Sequence, residues 1–190
     1  MLNEMKIEKW RSKMVKSRSR IHPLFSDVQI RQRVQELGNQ ISLDYANKNL
    51  VVIGLLSGVY PFFADLTRAI DLDIDVNFMR VSSYCGGMES TGDIKVIFDI
   101  DRSIKNQHVL VVEDIVDTGM TLSKVYKLLE SMEPASIKVV ALLDKPSRRK
   151  VPISADYVGF SIEDHFVVGY GLDLEGIYRN LPYVGIYNFS

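Results

Sequence analysis

"VLVVEDIVDTGMT", residues 109–121, decides the fold. It opens as an unbroken apolar run, the mark of a strand buried on both faces of a parallel sheet, and then sets Glu113, Asp114 and Asp117 within five positions. Thr118, Gly119, Met120 and Thr121 follow, and "MTLSKVYKLLESM" continues with a helical pattern. In an open parallel sheet, ligands bind beyond the carboxyl ends of the strands, where the next helix offers free N–H groups. Amides and Thr hydroxyls at such a turn can surround a phosphate, and Gly119 lets the backbone approach it closely. Three carboxylates beside a phosphate cradle make sense if the ligand also carries hydroxyls or a positively charged centre. Glu113 and Asp114 suit the vicinal hydroxyls of a ribose, and Asp117, one turn nearer the helix, suits the reacting atoms. Capping of the helix by Asp117 or Thr118 would account for one of these residues and leave Glu113 and Asp114 unexplained.

Working outward, Ile30, Val34, Leu37, Ile41 and Tyr45 recur at three- and four-residue spacing and predict a helix over residues 28–45. "LVVIGLL" (50–56) is a buried strand, and Phe62, Phe63, Leu66 and Ile70 mark a second helical face. "DIDVNFMRVSSY" (73–84) alternates as a strand with one buried face, and "DIKVIFD" returns as its hairpin arm after the loop "CGGMESTG" (85–92). "SIKVVALLD" is a further strand, while "ADYVGF", "FVVGYG" and "YVGIY" supply short ones, with "LEGIYRN" as a turn or short helix. Strands alternating with helices predict one α/β domain with a largely parallel central sheet flanked by helices. The domain is expected over residues 25–190, preceded by a basic arm over 1–24 in which Met1 to Arg20 hold seven Lys/Arg against two Glu.

Composition narrows the function classes. The 23 basic and 24 acidic residues nearly balance, so no nucleic acid or acidic membrane is demanded as a partner. No apolar run approaches the roughly 20 residues that span a bilayer. Cys85 is the single cysteine, which excludes an intramolecular disulfide and fits a reducing cytoplasm. The common phosphate motifs are missing: there is no G-x-x-x-x-G-K-[ST], and "GYGLDLEG" lacks the third glycine of G-x-G-x-x-G.

The 13-residue stretch resembles the phosphoribosyl-pyrophosphate binding motif of the type I phosphoribosyltransferases. "LLSGVYPFFADL", "RVSSYCGGMESTGDIKV", "ALLDKPSRR" and "DHFVVGYGLDLEGIYRNLPYVGIY" resemble the hypoxanthine-guanine branch, over roughly residues 28–188. The resemblance implies that fold with a small hood and a mobile hairpin lid. It implies transfer of phosphoribosyl from phosphoribosyl pyrophosphate to a 6-oxopurine with magnesium, in a homodimer or homotetramer. Glu113 and Asp114 would hold the ribose hydroxyls and, with Asp173, the metal. Residues Asp117, Thr118, Gly119, Met120 and Thr121 would bind the 5'-phosphate, with Asp117 also the general base or acid at purine N7. The backbone at Ser57 and Gly58, together with Arg179, would meet the pyrophosphate. Lys145 would donate to the purine O6, Phe166 would stack on the ring, and the Val167 backbone and Asp173 would face its far edge. Ser83 and Tyr84 belong to the lid, which a transfer through an oxocarbenium-like centre needs in order to exclude water. Met120 and Ser57 stand where some relatives carry lysine, so two cationic contacts of those relatives are absent.

Two rival readings exist. "KVIFDIDRS" (95–103) resembles a dehalogenase-type phosphatase motif with Asp99 as nucleophile and Asp101 as acid/base, and "EDH" (163–165) could add metal ligands. Arg102 and Ser103 depart from that motif, and a hairpin end explains it better. A nucleic-acid-binding sensor that keeps the phosphoribosyl-pyrophosphate site is the other rival, supported by the basic arm. It has no use for a purine-reading lysine.

Overall fold

The computed structural model describes residues 18–83, 94–99 and 103–189. Helix α1 (Asp27–Asp44) starts at a capping box: the Gln29 amide donates to Ser26 Oγ, and the Ser26 amide donates to Gln29 Oε1. It buries Ile30, Val34, Leu37 and Ile41, the stripe expected from their spacing. Gly38 lets α1 touch α2 (Tyr60–Ala69), since a Cβ there would lie 2.5 Å from the Ala69 carbonyl oxygen.

The main sheet holds β2 (Leu50–Leu56), β3 (Ile74–Ser83), β4 (Ile94–Asp99), β5 (His108–Val116), β6 (Ser136–Asp144) and β7 (Tyr157–Ser161) in the order β4-β3-β2-β5-β6-β7. Five strands run parallel, and β4 is antiparallel to β3 with Ser83 opposite Ile94, the hairpin the sequence predicts. Period-two alternation divides the apolar strands between two cores. Val52, Leu110 and Val112 join α1 and α2 on one face. Val51, Ile53, Val109 and Val111 meet Leu122, Val125 and Leu129 of α3 (Met120–Glu130) on the other. Arg33 of α1 donates to the Val158 and Gly159 carbonyls of β7, covering groups that the edge strand would otherwise leave open.

A second sheet is antiparallel, ordered β1-β9-β8: β1 is Ile21–Phe25, β9 is Val184–Tyr187 and β8 is Val167–Val168. Strand β1, except Phe25, falls in the stretch that sequence alone assigns to the N-terminal arm. "FVVGYG" is a strand only over Val167–Val168; beyond it Gly169 and Gly171 take positive φ and turn the chain. Tyr84 and the lid loop, Asp101 of the rival phosphatase motif, and the first 17 residues of the arm lie outside the described residues. Among the described residues, no helix is long and apolar enough to cross a membrane.

This topology fixes where a ligand sits. From β2 the chain moves to β3 on one side, then after β4 returns to β5 on the other, so the strand order reverses between β2 and β5. In open sheets of this kind the ligand crevice lies there, beyond the carboxyl ends of the two strands.

Candidate active site

The loop after β2 and the turn after β5 flank this crevice. The Leu56–Ser57 peptide is cis, Ser57 is exposed and Gly58 is buried against the end of β5. A Cβ on Gly58 would collide with Asp114 Oδ2 and stand 3.3 Å from Arg179 Nη1, so only glycine lets this loop close on the acidic turn. From the other side comes the segment after β8: Arg179 Nη1 donates to the Gly171 carbonyl at 2.6 Å, and its Nη2 pairs with Asp173 Oδ1 at 2.6 Å. Asp173 Oδ2 accepts the Gly176 amide. Gly58, Asp114, Asp173 and Arg179 are thereby gathered from three separate stretches of sequence.

Glu113 and Asp114 are adjacent carboxylates at a strand end with little water. Asp114 Oδ1 accepts the Ile115 amide at 2.8 Å, whereas Glu113 Oε2 is buried and hydrogen-bonded to nothing among the described residues. Burial pushes the Asp114 carboxyl up to about 6 despite the opposing pull of the Ile115 amide and Arg179. Burial, with the charge of Asp114 beside it, raises Glu113 well above the usual carboxylate range. An orphaned carboxylate oxygen next to a second carboxylate is an incomplete set of hard oxygen ligands. It fits a small divalent cation that completes its shell from substrate and water. No group of three or more His, Cys, Asp or Glu among the described residues could hold a metal by itself.

Helix α3 begins at Gly119 in the left-handed region (φ 78°), and no side chain caps it. A Cβ on Gly119 would lie 2.6 Å from Ile153 Cγ2. The first-turn amides are therefore open to an anion. Thr118 Oγ1 is a distant acceptor for the Met120 amide at 3.4 Å, and Met120 is half exposed. Asp117 does not cap the helix; its Oδ1 meets Arg148 Nε at 3.2 Å.

Two arginines that sequence reasoning left without a role organise this turn. Arg149 donates to the Val116 carbonyl at 3.0 Å and to the Asp117 carbonyl, and it pairs with Asp144 at the end of β6. The backbone that carries Asp117 is thus tied to the neighbouring strand. Arg148 reaches Asp117 and also Asp164 Oδ2 at 3.4 Å, while Lys145 Nζ lies 3.6 Å from Asp164 Oδ1. Lys145 is 7% exposed and is the buried charged side chain among the described residues. "DKPSRR" carried the only signal for the arginines: a basic run directly after a strand.

Phe166, 42% exposed, lies two residues beyond Asp164 in the chain and offers an exposed aromatic ring. Phe189 meets it edge-on at 5.1 Å. The Val167 side chain is buried in the core, so what it can offer a ligand is backbone. Ser83 ends β3, and only its backbone is described.

Residues 25–175 match the family model "Phosphoribosyl transferase domain". A hypoxanthine-guanine phosphoribosyltransferase of Staphylococcus aureus is 49% identical over 162 residues, 85% of this chain and 90% of the relative. The crystal structure of a Staphylococcus aureus hypoxanthine phosphoribosyltransferase superposes with a TM-score of 0.85 at 46% identity, covering 90% of this chain and 94% of that one. One from Bacillus anthracis, a hypoxanthine-guanine phosphoribosyltransferase, gives 0.83 at 43% identity over 88% of this chain and 98% of its own. In sequence and fold alike, this chain belongs to the hypoxanthine-guanine phosphoribosyltransferase family, enzymes of purine salvage.

Proposed function

We propose that the crevice joins hypoxanthine or guanine at N9 to the phosphoribosyl group of phosphoribosyl pyrophosphate, giving IMP or GMP and pyrophosphate. The observation that carries the reading is the pair Glu113 and Asp114, one oxygen orphaned, beside the uncapped start of α3. The turn from Asp117 to Thr121, with the open amides at the start of α3, holds the 5'-phosphate, and Glu113 and Asp114 accept from the ribose hydroxyls. Glu113 and Asp114, with Asp173, would hold magnesium, which would supply positive charge against the pyrophosphate. Arg179 and the backbone at Ser57 and Gly58 face the departing group.

Phe166 stacks on the base, and the Val167 backbone meets its far edge. The N9 lone pair forms the bond to the ribose C1, pyrophosphate leaves with the electron pair of the bond that breaks, and Asp117 takes the proton from N7. Carboxylates near C1 favour the oxocarbenium-like charge that develops there. Lys145 donates to O6. Adenine presents an amino group to that buried cation and leaves it unpaired, which costs several kcal/mol, so adenine is a poor substrate. A lid that would keep water out, which the resemblance implies for Ser83 and Tyr84, is part of the same proposal.

The test is nucleotide formation from phosphoribosyl pyrophosphate and magnesium with hypoxanthine, guanine, xanthine and adenine offered separately. IMP and GMP with adenine inert is the expected result, and loss of all product in chelator checks the metal. No nucleotide from any base would overturn the reading. Assembly as a homodimer or homotetramer, which the family resemblance implies, is checked by light scattering. Action in the cytoplasm is part of the same proposal.

A further inference from the structure

Four side chains form one row at the ends of β5, β6 and β7: Asp117, Arg148, Asp164 and Lys145. Its outer members are the two groups that the proposed function assigns to purine N7 and O6, and the inference rests on that assignment. In the structure each is already paired with chemistry of the same sense as the base. Arg148 Nε donates to Asp117 at 3.2 Å, where a purine N7–H would donate. Asp164 Oδ1 faces the Lys145 ammonium at 3.6 Å, where a C6 carbonyl would accept. Arg148 Nη1 and Asp164 Oδ2 join at 3.4 Å, so donor and acceptor form a connected unit, as they do on one edge of a 6-oxopurine.

We infer that the Arg148–Asp164 pair is an internal stand-in for the N7/O6 edge of the base and sets the affinity of the site for every base by competing with it. The base enters by exchange: the pair swings away, and the purine edge takes over both contacts. Both residues can move, because Arg148 and Asp164 keep about half of their side-chain surface in water while Lys145 stays buried. The exchange returns two contacts to a 6-oxopurine. A 6-aminopurine displaces the same pair and recovers nothing at Lys145; the displacement is a cost common to every base, and the contact at Lys145 is what separates the two classes.

The test is steady-state kinetics of Arg148→Ala and Arg148→Gln at saturating phosphoribosyl pyrophosphate, with Lys145→Ala as the control on the underlying assignment. Exposed ion pairs are weak, so removing the competitor at Asp117 should lower the KM for hypoxanthine by about two- to fivefold. The KM for phosphoribosyl pyrophosphate should stay in place. In the wild type, added salt should lower the hypoxanthine KM by screening the pair, and the Arg148 variants should lose that response. A hypoxanthine KM that is unchanged or raised in both variants overturns the inference. If Lys145→Ala leaves the hypoxanthine KM unaltered, the assignment of O6 fails and takes the inference with it. A raised KM in Lys145→Ala with no fall in the Arg148 variants sinks the stand-in alone.

Discussion

Asp114→Asn separates what the acidic turn does for a ligand from what it does to the fold. The Asp114 carboxyl is pushed up from 3.8 to about 6 by burial, the pull of Arg179 included. Between those values the folded chain holds a proton that the unfolded chain has released. Stability therefore declines as pH rises through this window and levels off above about 6. At about 1.4 kcal/mol per pH unit the full loss is about 3 kcal/mol. Asp114 keeps some contact with solvent, which trims the loss to about 2 kcal/mol. Asparagine is neutral throughout and can still accept the Ile115 amide. In differential scanning calorimetry of ligand-free protein, the variant should melt close to wild type near pH 4. By pH 7.5 it should melt about 4–8 °C higher, the shift that about 2 kcal/mol produces in a chain of this size. It should also respond far less to magnesium and phosphoribosyl pyrophosphate. A melting gap that does not grow with pH, or a wild type more stable at pH 7.5, would refute the argument that an ionised Asp114 strains the fold in the service of binding.

Asp117→Asn should lower kcat by two or more orders of magnitude while the KM values move little, as removal of an acid/base does; equal losses in both would contradict its role at N7. For Phe166→Ala, a rise in the KM for the base with little change in that for phosphoribosyl pyrophosphate is expected, and a uniform effect on both would argue against stacking. Gly38→Ala places a Cβ 2.5 Å from the Ala69 carbonyl and should destabilise by about 1–3 kcal/mol through forced separation of α1 and α2, seen as a lower urea midpoint with activity per folded molecule retained.

The parallel sheet was legible because its strands are apolar runs of definite length. "LVVIGLL" coincides with β2, and "SIKVVALLD" with β6. Strand β1 was not: "IHPLF" has no alternation, contains Pro23, and pairs with a partner at the other end of the chain across a register shift. In the site, Glu113, Asp114 and Asp117 stood out since their density of charge at a buried strand end has no structural use. Arg149 and Asp164 did not, because their roles arise from pairing between the ends of different strands. Helix capping by Asp117, the bland alternative, gave way to Gly119, whose left-handed backbone starts α3 without side-chain help.

The small sheet has a bearing on how the protein is made. Ile21 pairs with Tyr187, across nearly all of the described chain, whereas β5, α3 and β6 are consecutive. Closing the longer loop costs more chain entropy, and contacts of such separation form late. During synthesis the crossover that carries the proposed phosphate cradle can assemble while β9 is still in the ribosome. The sheet whose strand β8 follows Phe166 must wait for β9 to emerge. Readiness for the sugar phosphate should precede readiness for the base, and pulsed hydrogen exchange on refolding protein should find the amides of β5 and β6 protected before those of β9.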